Sequence, residues 1–290
     1  MELFYQNEYG QRIDLLNDKR FALTGQTGLV SLPSNVLSTS DTVLTEGDTV
    51  IWRKRSARQI TMTHRFLHDV TEARREFVRI LDQGAAGRLI YRDRGMNVFM
   101  EVEVEDCEVK NTDEFTTAQT TFVASYPYFQ DMEQQTAGNR GVTGGWRFPF
   151  TFPVTFGNVS ANDSIIIENM GNFPFGFVAD IDISSGYAKD LQIASNTGEY
   201  IVLRGYWGVI PDELQDAAYR GDVTKIRIDT RSGNKSVTNL DTGESLLGYF
   251  SVESKMLQIQ RGINVFTVTA ETGIENVSVL IAYRNVYKGV

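Results

Sequence analysis

Two Asp-Thr pairs stand twelve residues apart in the stretch IDTRSGNKSVTNLDTG, residues 228–243. Asp-Thr-Gly is the half-site of aspartic proteases, where two carboxylates share one proton because neighbouring like charges cannot both ionise. Asp229 is followed by Thr230 and Arg231, so it lacks the glycine that lets the backbone turn a carboxylate inward. Asp241-Thr242-Gly243 keeps the glycine, but KSVTNL before it is short and polar for a buried strand. Two lobes of one chain also need more than twelve residues between them, which leaves only a homodimer with one motif per chain. Turn chemistry is the simpler reading. A strand TKIRIDT, a turn at Arg231–Asn234, a strand KSVTNL and a turn at Asp241–Gly243 use residues that tolerate positive φ and bond their own backbone.

The two histidines, His64 and His68, have the helical spacing of a metal pair, yet Arg65 stands where such a motif carries Glu. Their surroundings are strand-like, and four strand residues span about 13 Å, too far for one metal. They are expected to be solvated or packed. Trp146, Phe148, Phe150, Phe152 and Phe156 recur with period two. They read as an edge strand whose rings enter a core, with Pro149 and Pro153 placed where a missing N–H is tolerated, or else as a stacking platform. The sequons at Asn158, Asn162, Asn234 and Asn276 carry no signal without secretion. No phosphate-binding glycine loop, Ser-His-Asp set or zinc spacing occurs, so neither catalysis nor a cofactor is expected.

Positioning these residues falls to a chain of 290 residues, 41% hydrophobic and 22% charged, enough for two cores. The net charge of −9 opposes a phosphate-binding surface. Cys107 is the single cysteine, which excludes an internal disulfide and a four-cysteine metal site. No apolar run reaches membrane-spanning length, and the acidic, polar opening MELFYQNEYG is unlike a signal peptide. A soluble product made in the cytoplasm is expected.

Strand signals dominate. They cover 49–56, 58–67, 97–109 and 115–129, and later 164–169, 176–183, 200–207, 224–230, 235–240, 264–271 and 277–284. One helix is predicted over Asp69–Asp82, with Asp69 and Glu72 as a capping box and Gly84 as a left-handed cap. Its apolar face takes in Val70, Ala73, Phe77, Ile80 and Leu81. Residues 131–145 lack an apolar period and read as a linker, dividing the chain into 1–134 and 135–290. Residues 211–221 have room for one helical turn. The first part suggests an open or barrel-like sheet with the helix over one end, the second a β-sandwich.

The order of short motifs in the second half resembles the siphophage distal tail protein family. Glu168-Asn-Met-Gly-Asn172 is followed by Gly221-Asp-Val-Thr-Lys-Ile-Arg-Ile-Asp-Thr230, Ser232-Gly-Asn-Lys-Ser-Val237 and Arg261-Gly-Ile-Asn-Val-Phe266, with Arg261 where the family has proline. Ile13-Asp14-Leu15 after Gly10, Ala57-Arg58-Gln59-Ile60 and Ser125-Tyr-Pro-Tyr-Phe129 agree in the first half. The resemblance implies a tail-tube-like β-barrel with one helix and a long hairpin belt, followed by a galectin-like β-sandwich. It implies a structural virion protein and no enzyme: a homohexameric ring joining the tail tube protein to the fibre or lysin protein, and a hub for receptor-binding proteins. DNA would pass through it without specific binding. The alternative function is carbohydrate recognition by the second domain, although the histidine of a galectin site is missing there and only Trp146 or Trp207 could build another.

Within that picture one ladder stands out. Glu101, Glu103 and Glu105 alternate with Val102 and Val104, so on a strand they share a face. They are either a solvated surface or the wall of the ring's channel. Residues 1–135 hold 15 basic and 21 acidic side chains, a net of −6 per copy.

Overall fold

The computed structural model describes residues 1–40, 49–82, 84, 86–112, 114–139, 164–214 and 223–290. It is mainly β, with one α-helix among the described residues, as the sequence predicts. The chain forms two compact units: Met1–Met132 together with Val286–Val290, and Glu133–Asn285.

The first unit runs through β1 (Glu2–Asn7), β2 (Arg12–Asp14), β3 (Phe21–Thr27), β4 (Asn35–Ser40), β5 (Thr49–Arg55) and β6 (Arg58–Phe66). Helix α1 (Val70–Ile80) precedes β7 (Ala86–Asp93), β8 (Met96–Asn111), β9 (Thr116–Ala124) and β10 (Phe129–Asp131). Seven strands follow the order β2-β1-β7-β8-β9-β6-β3, in one curled sheet that also takes in β10. β1 hides in the polar opening decapeptide: Leu3, Tyr5 and Asn7 alternate inward from Glu2, Phe4 and Gln6. The period of two, not mean polarity, decides that segment.

One sheet face carries the core. Leu3, Tyr5, Leu89, Met100, Val102, Val104, Phe122, Ile60, Met62 and Phe66 are all buried there. Helix α1 closes it with Ala73, Phe77 and Ile80. Phe77 is fully enclosed, its ring 5.3 Å from Phe21 and 5.6 Å from Phe66, both edge-on. Burying such a ring contributes about 1.5–3 kcal/mol. Three expectations for the helix need correction. Val70 is on the exposed side. Asp69 sits at φ 48° and makes no side-chain cap bond, because the left-handed backbone turns its carboxylate away from the first-turn amides. Gly84 does have positive φ, yet its N–H goes to the Val104 carbonyl at 2.8 Å, so it ties the helix exit to β8 rather than capping the helix.

β4 and β5 pair only with each other. Every residue of this arm is exposed or half-buried, including Val36, Leu37, Ile51 and Trp52.

In the second unit come β11 (Gln135–Gly138), β12 (Ser164–Asn169), β13 (Val178–Asp182), β14 (Tyr187–Ser195) and β15 (Tyr200–Gly208). β16 (Lys225–Asp229), β17 (Ser236–Asn239), β18 (Gly262–Thr269) and β19 (Ser278–Tyr283) complete it. They build two sheets, β11-β19-β13-β16-β17 and β12-β18-β14-β15. Ile181, Ile228 and Ile281 of one sheet and Ile167, Ile193 and Val268 of the other are buried, and Phe177 meets Phe266 at 5.2 Å. A helical turn at Asp212–Leu214 occupies the segment that had room for one. Part of the supposed linker is corrected: β11 pairs Gln135–Gly138 with Tyr283–Leu280 of β19. Backbone ladder bonds at a sheet edge hold it, and they leave no hydrophobic period to read. The final strand β20 (Val286–Tyr287) pairs with β10 in the first unit.

Candidate functional surface

Glu101, Glu103 and Glu105 lie on β8 and all three are exposed, opposite in direction to buried Val102 and Val104. The structure therefore places them on one face, as the alternation requires. Glu101 opposes Arg88 of β7, whose Nη2 is 3.6 Å from Oε1. Glu103 stands in a row with Val123 of β9 and Gln59 of β6. Glu105 interrupts the ladder: the register of β8 on β9 slips between Val104 and Asp106, which marks a β-bulge. Its Oε2 accepts a hydrogen bond from Gln59 Nε2 at 2.8 Å, across the intervening strand.

The bulge has an electrostatic consequence. Before it, even-numbered residues point inward; after it, Cys107 and Val109 do. Asp106 and Glu108 are thereby brought to the glutamate face, and five carboxylates line one strand. Sequence alternation finds the first three and misses these two, because an extra residue in a strand leaves no mark in composition. Glu108 pairs with Lys110 at 2.8 Å.

On the β9 side of this stripe two rows are neutral and polar. Asp106 is in register with Thr121, Thr61 and Thr27, and Glu108 with Gln119, Thr63 and Gly25. The Thr61 and Thr121 hydroxyls approach to 3.5 Å. On the β7 side the face carries cations as well: Arg12, Gln6 and Arg88 share the row of Glu101, and Arg92 lies on the same face of β7. At physiological salt the field of the carboxylates reaches roughly 8 Å.

The Asp-Thr pairs belong to turns. β16 and β17 form the hairpin with Asp229 opposite Ser236 and Ile226 opposite Asn239, so Asp229 and Asp241 sit at opposite ends of it. Three strand residues separate those positions, about 10 Å. The Asp229 carboxylate accepts from the Arg231 backbone N–H at 2.9 Å and from Arg231 Nη2 at 2.6 Å. Asp241 is exposed, 4.0 Å from Lys225 Nζ. These carboxylates shape the chain and share no proton within it.

The histidines also separate. His68 is exposed, whereas His64 is wholly enclosed among Phe21 and Phe77, its Nε2 3.0 Å from the Leu15 carbonyl. Burial pushes its pKa down, against a smaller upward pull from that carbonyl. Among the described residues no group of three or more His, Cys, Asp or Glu is placed to hold a metal. No helix among them is long and apolar enough to cross a membrane. Trp207 has no exposed surface and its indole N–H donates to the Leu203 carbonyl at 3.3 Å, so it offers no face to a sugar. Trp146 and the aromatic run to Phe156 lie outside the described residues.

No family model matches the chain, and no curated protein matches it by sequence. Among solved structures it is similar to the Dit protein of phage SPP1, described as a paradigm of the hub adsorption apparatus in phages infecting Gram-positive bacteria. That likeness has 12% identity and a TM-score of 0.63, covering 97% of this chain and 98% of the other. Chains of the phage P2 baseplate in its activated conformation, with calcium or with strontium, are similar at 11% identity and a TM-score of 0.44, over 97% of both chains. At 12% identity the likeness to the SPP1 protein is one of fold, and it extends over nearly the whole length.

Proposed function

We propose that this chain is a structural virion protein: a ring subunit at the distal end of a phage tail, acting as a hub between the tail tube and the tip. The observation that carries the reading is the fold shared with the SPP1 hub protein from end to end. The reading has the first unit, residues 1–134 as the sequence divides the chain, forming a hexameric ring against the tail tube protein. The second, 135–290, faces outward toward fibre, lysin or receptor-binding proteins. No catalysis is assigned to it.

The face bearing Glu101, Glu103 and Glu105 is assigned to the channel wall. The five exposed carboxylates of β8 support this, since they repel a polyanion and the Thr and Gln rows on their β9 side offer it no cation, although Arg12 and Arg88 stand in the row of Glu101. Six copies of the stripe would act on DNA near the wall, within a screening length, and leave the axis free.

Negative-stain imaging of the purified protein should show six-fold rings; monomers at every concentration tested would remove the ring. Replacing Glu101, Glu103 and Glu105 together by lysine should leave the rings intact and make them retain DNA at low salt. Retention should fall steeply as salt rises, since counterions are released on binding. Intact lysine rings that ignore DNA at every salt concentration would remove the channel assignment and leave the hub.

A further inference from the structure

Arg58 is only 4% exposed, yet no carboxylate is among the partners of its guanidinium. Its partners are five main-chain carbonyls. Nε donates to Gly28 at 2.8 Å, Nη1 to Pro127 at 3.4 Å and Lys288 at 3.3 Å, and Nη2 to Leu29 at 3.0 Å and to Ser31. A guanidinium has five N–H groups, so each has its own acceptor. The charge also lies 5.3 Å from the Phe129 ring centre.

The acceptors come from three places. Gly28, Leu29 and Ser31 lead into β4. There Pro33 accepts from Arg55 Nη1 at 3.0 Å, and Ser34 accepts from the Ser56 N–H at 3.1 Å, which joins the two legs of the β4–β5 arm. Gly28 is pressed so close to β6 that a Cβ there would fall 2.1 Å from the Gln59 carbonyl oxygen. Pro127 lies two residues before β10, after which the chain leaves the first unit. Lys288 immediately follows β20, by which the chain returns to it. Among the described residues the arm pairs with no other strand, so its direction is set at its base.

We infer that Arg58 is a mechanical latch, coupling the paired strands β10 and β20 to the base of the β4–β5 arm. Displacement of the second unit reaches the first through those two strands, and the guanidinium delivers it to the arm. A conformational signal thus has a route from the second unit to the arm that depends on one side chain.

Hydrogen exchange on the full-length protein tests this. Arg58→Met should speed exchange by at least about tenfold at residues 29–38 and 49–56 and equally at 129–131 and 286–290, the loss of one charge-assisted bond being worth that factor. Amides of β8 and β9 should keep their protection. Coupling is reciprocal, so Val286→Ala, which trims a buried side chain of β20 and leaves Arg58 in place, should loosen the arm base as well. If Arg58→Met fails to fold, Arg58→Lys, with three donors for five acceptors, and Val286→Ala carry the test. Loosening confined to β10 and β20 in Val286→Ala, or a uniform loss of protection across β6, β8 and β9, would overturn the latch.

Discussion

Acid should destabilise the first unit through one ring. His64 packs against Phe21 and Phe77, with all three ring centres 5.3 Å from one another. Nε2 carries the proton and donates to Leu15, while Nδ1 has no partner. A second proton would have to sit on Nδ1 with no acceptor before it, in a site already stripped of water, so burial lowers the pKa from 6.5. The unfolded chain takes that proton freely. Stability from this site is therefore complete above pH 6.5 and is lost as pH falls toward the folded pKa. While the folded ring stays neutral, each pH unit below about 6.5 costs about 1.4 kcal/mol. Between pH 7.5 and 5.5 the loss is therefore at most about 1.4 kcal/mol, or up to roughly 5 °C in Tm for a unit of this size. Thermal unfolding followed by circular dichroism should show that drop in the native chain and in His68→Gln, but not in His64→Gln. The comparison is between pH values within each protein, so any baseline cost of substitution cancels. An equal pH dependence in His64→Gln, or an NMR titration placing His64 at or above 6.5, would refute the reasoning.

Phe77→Ala should cost the first unit about 3–5 kcal/mol and leave the unfolding transition of the sandwich in place; an unchanged calorimetric profile would contradict the packing around α1. Asp229→Ala should lower the stability of the second unit by about 1–3 kcal/mol, whereas Asp241→Ala should stay within about 0.5 kcal/mol. Denaturant melts of the two variants decide whether the carboxylates differ as their turns do. Gly273→Ala should be far worse than an ordinary surface change. Its φ is +77° and a Cβ would fall 2.0 Å from the Tyr187 carbonyl oxygen, so expression and melting of this variant report directly on that close approach.

The elements that announced themselves in the sequence did so by side-chain period. β8 from Met96 and α1 around Phe77 bury residues at a regular spacing, and that spacing reveals them. β1 and β14 were missed because polar or small residues share their faces with the apolar ones: Asn7 is buried beside Leu3 and Tyr5, and Ala188 and Ser195 are buried in β14. β11 was missed because backbone pairing, invisible in sequence, is what holds it. The site shows the same division. Glu101 and Glu103 follow from alternation, while Asp106 and Glu108 join them through a bulge that only the ladder reveals. Arg58 carried no signal of its own, since its acceptors are carbonyls from residues as distant as Gly28 and Lys288.

The pairing of β10 with β20 makes the second unit an insertion. Gln130 faces Val286 and Phe129 faces Tyr287, so Asp131 and Asn285 emerge from neighbouring rungs of one antiparallel ladder. Everything from Glu133 to Asn285 hangs, in topological terms, from the loop of a hairpin. A two- to five-residue turn suits such a ladder, so the first unit's chain could close on itself where the sandwich now departs. The sandwich is thereby exchangeable as a cassette: any domain whose own ends lie one strand spacing apart, about 4.8 Å, fits the same two rungs without disturbing the register of the sheet behind them. Whatever domain is inserted there, every strand of the first unit's sheet keeps its neighbours.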